Sequence, residues 1–443
     1  SRKVELVKIS VIGCGYLGAV HAASMAELGH EVIGIDVDQA KVASLSSGVA
    51  PFHEPGFDDL LVKNSQRLSF TTDMSHAVNA SVHFIAVGTP QSSDGSADMT
   101  YVNQAIDALI PHLSPGDLVV GKSTVPVGTA QRLSAQVAPS GATLMWNPEF
   151  LREGFAVEDT LSPDRLVYGL PEGDTADSAQ EILDQVYETI LATGTPRLIM
   201  NFATAELVKV AANSFLATKI SFINAMAEIS EVTGANVTQL ADAIGHDNRI
   251  GRRFLNAGIG FGGGCLPKDI RGFVARADEL GVGSSLDFLK NIDEINLRRR
   301  GRVLDVATDE LGELAGKRIA VWGLAFKPDS DDIRDSPALD IVESLARAGA
   351  HVVAADPQAS IPAAKRIDAA GLSGQVSVSD DYLGAAAGVD AIVVATEWKA
   401  FQEVDPKAMA SVVANKLVID GRNCLDVDAW KAAGFTYRGM GRS

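Results

Sequence analysis

The feature that most constrains this chain is Gly13-Cys14-Gly15-Tyr16-Leu17-Gly18, set between an apolar strand pattern, Ile9–Ile12, and a helical one, Leu17–Leu28. A G-x-G-x-x-G run alone is a weak signal, because short glycine patterns are common. Its surroundings narrow the reading. Asp36 closes the next strand pattern, Val32-Ile33-Gly34-Ile35, eighteen positions after Gly18. A strand–turn–helix–strand unit over 8–36 is therefore expected. Gly13 permits the tight turn, Gly15 lets a pyrophosphate approach the backbone, and Gly18 lets helix pack on strand. The helix N-terminus offers N–H groups to phosphates, and Asp36 accepts from the adenosine ribose hydroxyls. An acidic side chain there repels a 2′-phosphate, so NAD is favoured over NADP. The alternative is that the glycines only turn the chain.

The same alternation continues. Strand patterns fall at Lys8–Ile12, Glu31–Asp36, Val82–Val87, Leu118–Ser123 and Thr143–Trp146, with helical spacing between them. This predicts a mainly parallel sheet with helices on both faces. Val87-Gly88-Thr89-Pro90 ends one strand at its carboxyl edge, where open α/β sheets collect ligands, so Thr89 is either a cofactor contact or a simple turn residue. From Ala203 to Val232 the pattern turns helical without a breaker, and a second helical stretch, Leu286–Leu311, is interrupted only by Gly301. The strand–helix style returns at Lys317–Trp322, Ser336–Ala348, His351–Ala355, Asp390–Ala395 and Lys416–Ile419. The fold class is thus α/β: two Rossmann-like, doubly wound domains, 1–203 and 317–443, joined by a long central helix within a helical middle region, 204–302. The two halves share style more than sequence, a weak internal duplication.

With 443 residues, two or three domains are the prior, and 46% hydrophobic against 21% charged residues is ordinary for a soluble globular protein. There is no run of eighteen apolar residues, so no membrane span is expected. Ser1-Arg2-Lys3 is basic, but a glycine-punctuated strand follows rather than a signal-peptide core, and the absence of an initiator Met suggests a processed or recombinant end. A net charge of −18 disfavours nucleic acid and anionic membranes as partners. An anionic small substrate would need positive charge supplied locally. Cys14, Cys265 and Cys424 are too few and too scattered for a disulfide framework or a zinc site, so no metal is expected and a reducing cytoplasm fits.

The most informative stretch is Gly258-Ile259-Gly260-Phe261-Gly262-Gly263-Gly264-Cys265-Leu266-Pro267-Lys268-Asp269. Ile270, Phe273, Val274, Ala277 and Leu280 then follow at helical spacing, and Pro267 suits a first helical turn. Cys265 is expected just before a helix N-terminus, whose dipole lowers a thiol's pKa, with Lys268 adding positive charge. An activated cysteine nucleophile needs such surroundings. A buried, inert cysteine in a glycine loop is the other reading; Cys14 and Cys424 have no comparable surroundings. Lys209 and Asn213, four residues apart on the middle helix, share a face, where they either stabilise an oxyanion or form a solvated surface.

Together these motifs resemble those of the UDP-glucose/GDP-mannose dehydrogenase family, and within it the UDP-glucose 6-dehydrogenases. The likeness covers nearly the whole chain. It rests on the glycine fingerprint with Asp36, Lys122-Ser123-Thr124-Val125-Pro126-Val127-Gly128-Thr129, Asn147-Pro148-Glu149-Phe150-Leu151-Arg152-Glu153-Gly154, the cysteine loop, and Ala325-Phe326-Lys327-Pro328 with Asp332-Ile333-Arg334-Asp335-Ser336. The resemblance implies oxidation of a primary alcohol to an acid with two NAD⁺. It implies that Cys265 captures the intermediate aldehyde as a thiohemiacetal, which becomes a thioester and is hydrolysed. Lys209 and Asn213 would stabilise oxyanions, while Asp269, Thr124 and Glu149 would hold or activate water. It assigns the nucleotide sugar to Glu149, Phe150, Leu151, Lys209, Asn213, Phe254, Gly262, Lys327 and Arg422. To these it adds Arg249, reaching from a neighbouring subunit, so a homodimer is expected. Cofactor contacts would be Lys41, Thr89, Thr124, Glu153, Lys268 and Arg334, besides the three glycines and Asp36; Glu153 would support substrate positioning as well.

The expected substrate is UDP-glucose. Another nucleotide sugar, a UDP-N-acetylhexosamine or GDP-mannose, is the nearest alternative; the N-acetylmannosamine enzymes usually carry His before the cysteine, where this chain has Gly264. A two-electron hydroxyacid dehydrogenase would have no use for the cysteine. A non-catalytic sensor would require the catalytic residues to have decayed, and they are present.

Overall fold

The computed structural model describes residues 5–443, so the basic Ser1-Arg2-Lys3 lies outside the described residues. The chain forms two compact units, one running to Ala212 with Arg271–Gly283, the other Asn213–Ile270 with Ser284–Ser443. The divisions fall inside two helices, Phe202–Thr233 and Leu266–Glu279, and in the short turn Gly283–Leu286, so residues of the middle region belong to both units.

The first unit holds an eight-stranded sheet. In chain order its strands are β1 (Lys8–Ile12), β2 (Glu31–Ile35), β3 (Leu68–Thr71), β4 (Val82–Ile85), β5 (Leu118–Gly121), β6 (Thr143–Trp146), β7 (Leu166–Leu170) and β8 (Arg197–Asn201). They lie in the order β3-β2-β1-β4-β5-β6-β7-β8, parallel throughout except for β6 against β7. Strand order reverses at β1 and β4, the switch point at which a doubly wound sheet opens a crevice for ligand. Side chains alternate between two cores, as a sheet covered on both faces requires. Ile9, Val11, Phe84 and Val120 enter one cluster with the helix Tyr16–Glu27; Ile12, Ile85 and Val119 enter the other.

The second unit repeats the topology. Its strands β9 (Arg318–Trp322), β10 (His351–Ala355), β11 (Val376–Ser379), β12 (Ala391–Val394), β13 (Leu417–Asp420) and β14 (Thr436–Gly439) lie in the order β11-β10-β9-β12-β13-β14, all parallel. This matches the first six positions of the other sheet, so the duplication legible only as style is one of strand order. Ile319, Val321, Val393 and Ile419 point to one face; Ala320, Trp322, Ile392 and Val418 point to the other.

The helix Phe202–Thr233 runs unbroken, and Asp287–Leu311 passes through Gly301 without interruption. Two predicted strands, Val82–Val87 and Leu118–Ser123, end two residues early, at Ile85 and Gly121. The remaining Val87, Lys122 and Ser123 form the loops at the carboxyl edge, where the site residues collect. Among the described residues no helix is long and apolar enough to cross a membrane, and no group of three or more His, Cys, Asp or Glu is placed to hold a metal.

Candidate active site

In the first unit, the chain leaves β1 through Gly13, whose φ is +90°. A Cβ on Gly18 would collide with the Gly13 carbonyl oxygen, so helix Tyr16–Glu27 can approach the turn only with glycine there. At Gly15, the residue capping that helix, no heavy atom lies within 4 Å of a Cβ position, and no side chain caps the helix. Its first-turn N–H groups therefore suit an anion. Asp36 ends β2 nearly buried and accepts from the Cys14 amide at 2.7 Å, the Asp38 amide at 2.9 Å and Lys41 Nζ at 3.1 Å. A carboxylate has about four acceptor positions, so one remains for a hydroxyl. Lys41 thus meets Asp36 directly. Thr89 is buried and its Oγ1 donates to the Thr124 carbonyl at 2.8 Å, which brings these two predicted cofactor residues together.

The second sheet has an acidic residue at the same topological place, and it behaves differently. Asp356, fully buried after β10, accepts from the amides of Leu324, Ala325, Gln358 and Ala359 and from Trp398 Nε1. Its acceptor capacity is consumed by protein. Of the two sheets, only the first presents the acidic group a ribose requires, and its glycine turn fits NAD.

Beyond β6, Glu149 is held at both oxygens. Oε1 accepts from the Phe150 and Leu151 amides at 2.8 and 3.2 Å, and Oε2 pairs with Lys122 Nζ at 3.1 Å. The Phe150 ring carries the Arg165 guanidinium 3.8 Å and Lys209 Nζ 5.5 Å from its centroid. Lys209 is half-buried rather than solvated. Glu153 is half-buried in the turn whose next residue, Gly154, donates its amide to Glu54 and the Tyr16 hydroxyl.

In the second unit, Cys265 is exposed and immediately precedes helix Leu266–Glu279, its carbonyl accepting the Asp269 amide at 2.9 Å. Cys265 is thus not the buried cysteine that the other reading requires. Cys14 is buried, and its thiol is pushed far up by burial and then by Asp36; half-buried Cys424 is raised by burial and Asp420. Asp269 is buried and receives Asn213 Nδ2 at 2.7 Å on one oxygen and Lys268 Nζ at 2.7 Å on the other. The charge of Lys268 is therefore shared with Asp269. Asn213 is itself buried, not part of a solvated face, and keeps a second amide hydrogen for another acceptor.

The glycine loop before Cys265 is held by side chains the sequence did not single out. Asn296, fully buried, bonds both the amide and carbonyl of Phe261, at 2.7 and 2.8 Å. Arg300 adds a bond to that carbonyl at 2.9 Å, and Arg299 reaches the Gly258 carbonyl at 3.3 Å. Arg422 directs its guanidinium to the carbonyls of Gly260, Ala395 and Phe326 at 2.7, 2.9 and 3.5 Å, and burial pulls its pKa below the ordinary value. In this structure it braces the loop. Gly262 packs against the Asp335 carbonyl, and a Cβ on Gly264 would collide with the Arg334 guanidinium, which is paired with Asp332. Lys327 Nζ stands 5.4 Å from the Phe326 ring centroid. Phe254 has a left-handed backbone, φ +65°, a conformation a bulky residue adopts only under constraint. Arg249 is 88% exposed at the side chain and paired with Asp247.

Three family models match successive parts of the chain, all described as the UDP-glucose/GDP-mannose dehydrogenase family: the NAD binding domain over residues 7–191, the central domain over 203–298 and the UDP binding domain over 320–427. The chain is 42% identical to UDP-glucose 6-dehydrogenase TuaD of Bacillus subtilis (strain 168), covering 98% of this chain and 93% of the relative. It is 41% identical to UDP-glucose 6-dehydrogenase of Rhizobium meliloti (strain 1021), with 98% and 100% covered. Among solved structures, a UDP-glucose dehydrogenase from Pyrobaculum islandicum superposes with a TM-score of 0.89 at 36% identity, over 100% of this chain and 99% of that one. A UDP-D-ManNAc dehydrogenase from Pyrococcus horikoshii gives 0.83 at 27% identity, over 98% and 99%.

Proposed function

The chain belongs to the UDP-glucose/GDP-mannose dehydrogenase family, and from that premise we propose that it oxidises the C6 alcohol of UDP-glucose to the acid of UDP-glucuronate through a covalent intermediate on Cys265. The observation that carries the covalent step is an exposed cysteine at a helix start, one turn from the buried Asn213–Asp269–Lys268 group.

Bound NAD⁺ supplies the hydride acceptor for both oxidations. Gly13, Gly15, Gly18, Asp36 and Thr89 would hold it, with Lys41, Lys268 and Arg334 as charged neighbours and Glu153 supporting both cofactor and substrate. The first oxidation removes a hydride and a proton from C6–OH and leaves an aldehyde. The Cys265 thiol adds to that carbonyl, forming a C–S bond and a thiohemiacetal whose oxygen is stabilised by Lys209 and Asn213. Loss of a second hydride and proton gives the thioester. Water, held by Thr124, Glu149 and Asp269, adds to its carbonyl; the C–S bond breaks, the thiol is regenerated and the carboxylate leaves. A covalent hold keeps the aldehyde from escaping between the two oxidations.

The nucleotide sugar draws on Phe150, Leu151, Phe254, Gly262, Lys327 and Arg422. The active form is a cytoplasmic homodimer to which the neighbouring subunit contributes the position of Arg249; the exposure of that side chain supports this role. Glucose is favoured over an N-acetylated sugar because Gly264 stands where the N-acetylmannosamine enzymes usually carry His before the cysteine, and here a Cβ would meet the Arg334 guanidinium. The test is Cys265→Ser in the full chain. Turnover is expected to be lost while NAD⁺ still binds with wild-type affinity by calorimetry; wild-type turnover in this variant would remove the cysteine from the mechanism.

A further inference from the structure

Lys122 directly follows the wholly buried strand β5 and has no part in the steps just described. It is 4% exposed. Its Nζ lies 3.1 Å from Glu149 Oε2 and 3.0 Å from Asn147 Oδ1, and the same amide oxygen accepts the Tyr187 hydroxyl at 2.7 Å. Asn147, Glu149 and Lys122 come from adjacent loops at the carboxyl edge, brought side by side by the pairing of β5 with β6. Both groups nearest the amine are acceptors, which is the environment of an ammonium and not of a neutral amine.

An isolated ammonium in such a place is costly, and natural chains rarely bury one without a partner. Burial pulls Lys122 below its ordinary value, the Glu149 charge pulls it back up, and Lys209 adds to the lowering. The two charges therefore depend on each other. At Glu149 the consequence is geometric as well: two amides on Oε1 and the ammonium on Oε2 leave the carboxylate one orientation.

We propose that Lys122 is the positioning residue of Glu149, an enclosed ammonium that keeps this carboxylate charged and fixed for the hydrolytic step. The inference rests on the reading of Glu149 as a group that holds or deprotonates the attacking water. Either task needs the charged form with a lone pair aimed in a constant direction, and an ammonium this close favours that form. The other titratable groups facing the pair do not substitute for it. Tyr187 is buried, and burial with the Glu149 charge pushes its phenol well above the ordinary value, so it stays a neutral donor. His21, on helix Tyr16–Glu27, is fully buried and held far below its ordinary value by burial and then by Lys122, so it stays neutral. Lys209 acts on Lys122 as a like charge.

The test compares Lys122→Met, Lys122→Arg, Glu149→Gln and Lys122→Met/Glu149→Gln in the full chain, with UDP-glucose and NAD⁺ saturating. The acidic limb of the kcat profile is expected to move upward by about one pH unit or more in Lys122→Met, the size of an opposite-charge effect at this range. In Lys122→Arg, which keeps the charge, the limb is expected to stay within about 0.3 unit of wild type while kcat falls. In the Glu149→Gln background, Lys122→Met is expected to change kcat by less than about threefold, against tenfold or more with Glu149 present, because only coupled residues fail to add. A purely structural lysine would lower the yield of folded enzyme and leave limb and coupling unchanged, which would overturn the proposal. If Lys122→Met does not fold, Lys122→Arg decides, since a limb displaced despite the retained charge also overturns it. Failure of the parent reading looks different: the wild-type enzyme would then form no UDP-glucuronate, whatever the profiles of its variants.

Discussion

At the scale of single residues, burial and a neighbouring carboxylate push the thiols of Cys14 and Cys424 up, and both stay protonated. Cys265 differs in being exposed at a helix start. That contrast was legible in the sequence, because its marks are local: five glycines in seven residues, then Pro267 and Lys268 on a helical turn. Gly264 carries a prediction of its own. Alanine there would displace the Arg334 guanidinium, so Gly264→Ala is expected to raise KM for NAD⁺ about tenfold, equivalent to ~1.4 kcal/mol of lost contact. Steady-state kinetics check this, and an unchanged KM would separate Arg334 from the cofactor. Lys122 and Asn296 were not legible. Their partners lie 25 and 35 residues away in sequence, and only strand pairing or helix docking brings them together. A lysine directly after four apolar residues, Leu118-Val119-Val120-Gly121, was the one available signal.

At the scale of elements, the interior strands and long helices were legible because burial on both faces leaves continuous apolar runs. The strands that escaped include β3, β8, β11 and β14, which are the edges of the two sheets. Their exposed positions break the run: β8, Arg197–Asn201, has no fully buried residue, and β3 and β11 bury only one each. Helix Tyr16–Glu27 supplies a pH prediction. Its His21 is fully buried, with the ring 4.3 Å from that of Phe84 and both nitrogens without a hydrogen-bond partner. Burial holds it, and to a lesser degree His30, below the ordinary value of 6.5. The unfolded chain takes up a proton at His21 near that pH, whereas the native chain does not. Below pH 6.5 the unfolded state therefore binds more protons, and stability falls as pH falls, by up to about 1.4 kcal/mol per pH unit from this one group. Thermal melts of wild type and His21→Leu between pH 7.5 and 5.5 test the effect. The wild-type melting temperature is expected to drop more steeply; parallel curves would mean that His21 is protonated in the native state.

At the scale of the whole molecule, one strand order appears twice, and the chemistry of a single residue distinguishes the copies. Asp36 keeps an acceptor position, while Asp356 gives all of its capacity to backbone amides and Trp398. The layout of two α/β domains was legible from apolar runs, but which sheet takes NAD is set by hydrogen-bond saturation, and the glycine fingerprint is its trace in the sequence. If Arg249 serves a neighbouring subunit, mixing Arg249→Ala with Cys265→Ala protein should restore some activity, because one site of the hybrid would be intact. No recovery under conditions where heterodimers form would exclude the shared site. The glycine turn and Asp36 alone imply a dehydrogenase; the covalent route proposed for Cys265 requires NAD⁺ twice for each sugar. The most direct measurement is the amount of NADH formed per UDP-glucose consumed. Two equivalents, with UDP-glucuronate as product, are expected. A single equivalent, ending at the aldehyde, would contradict the covalent four-electron sequence, and none would contradict the oxidation altogether.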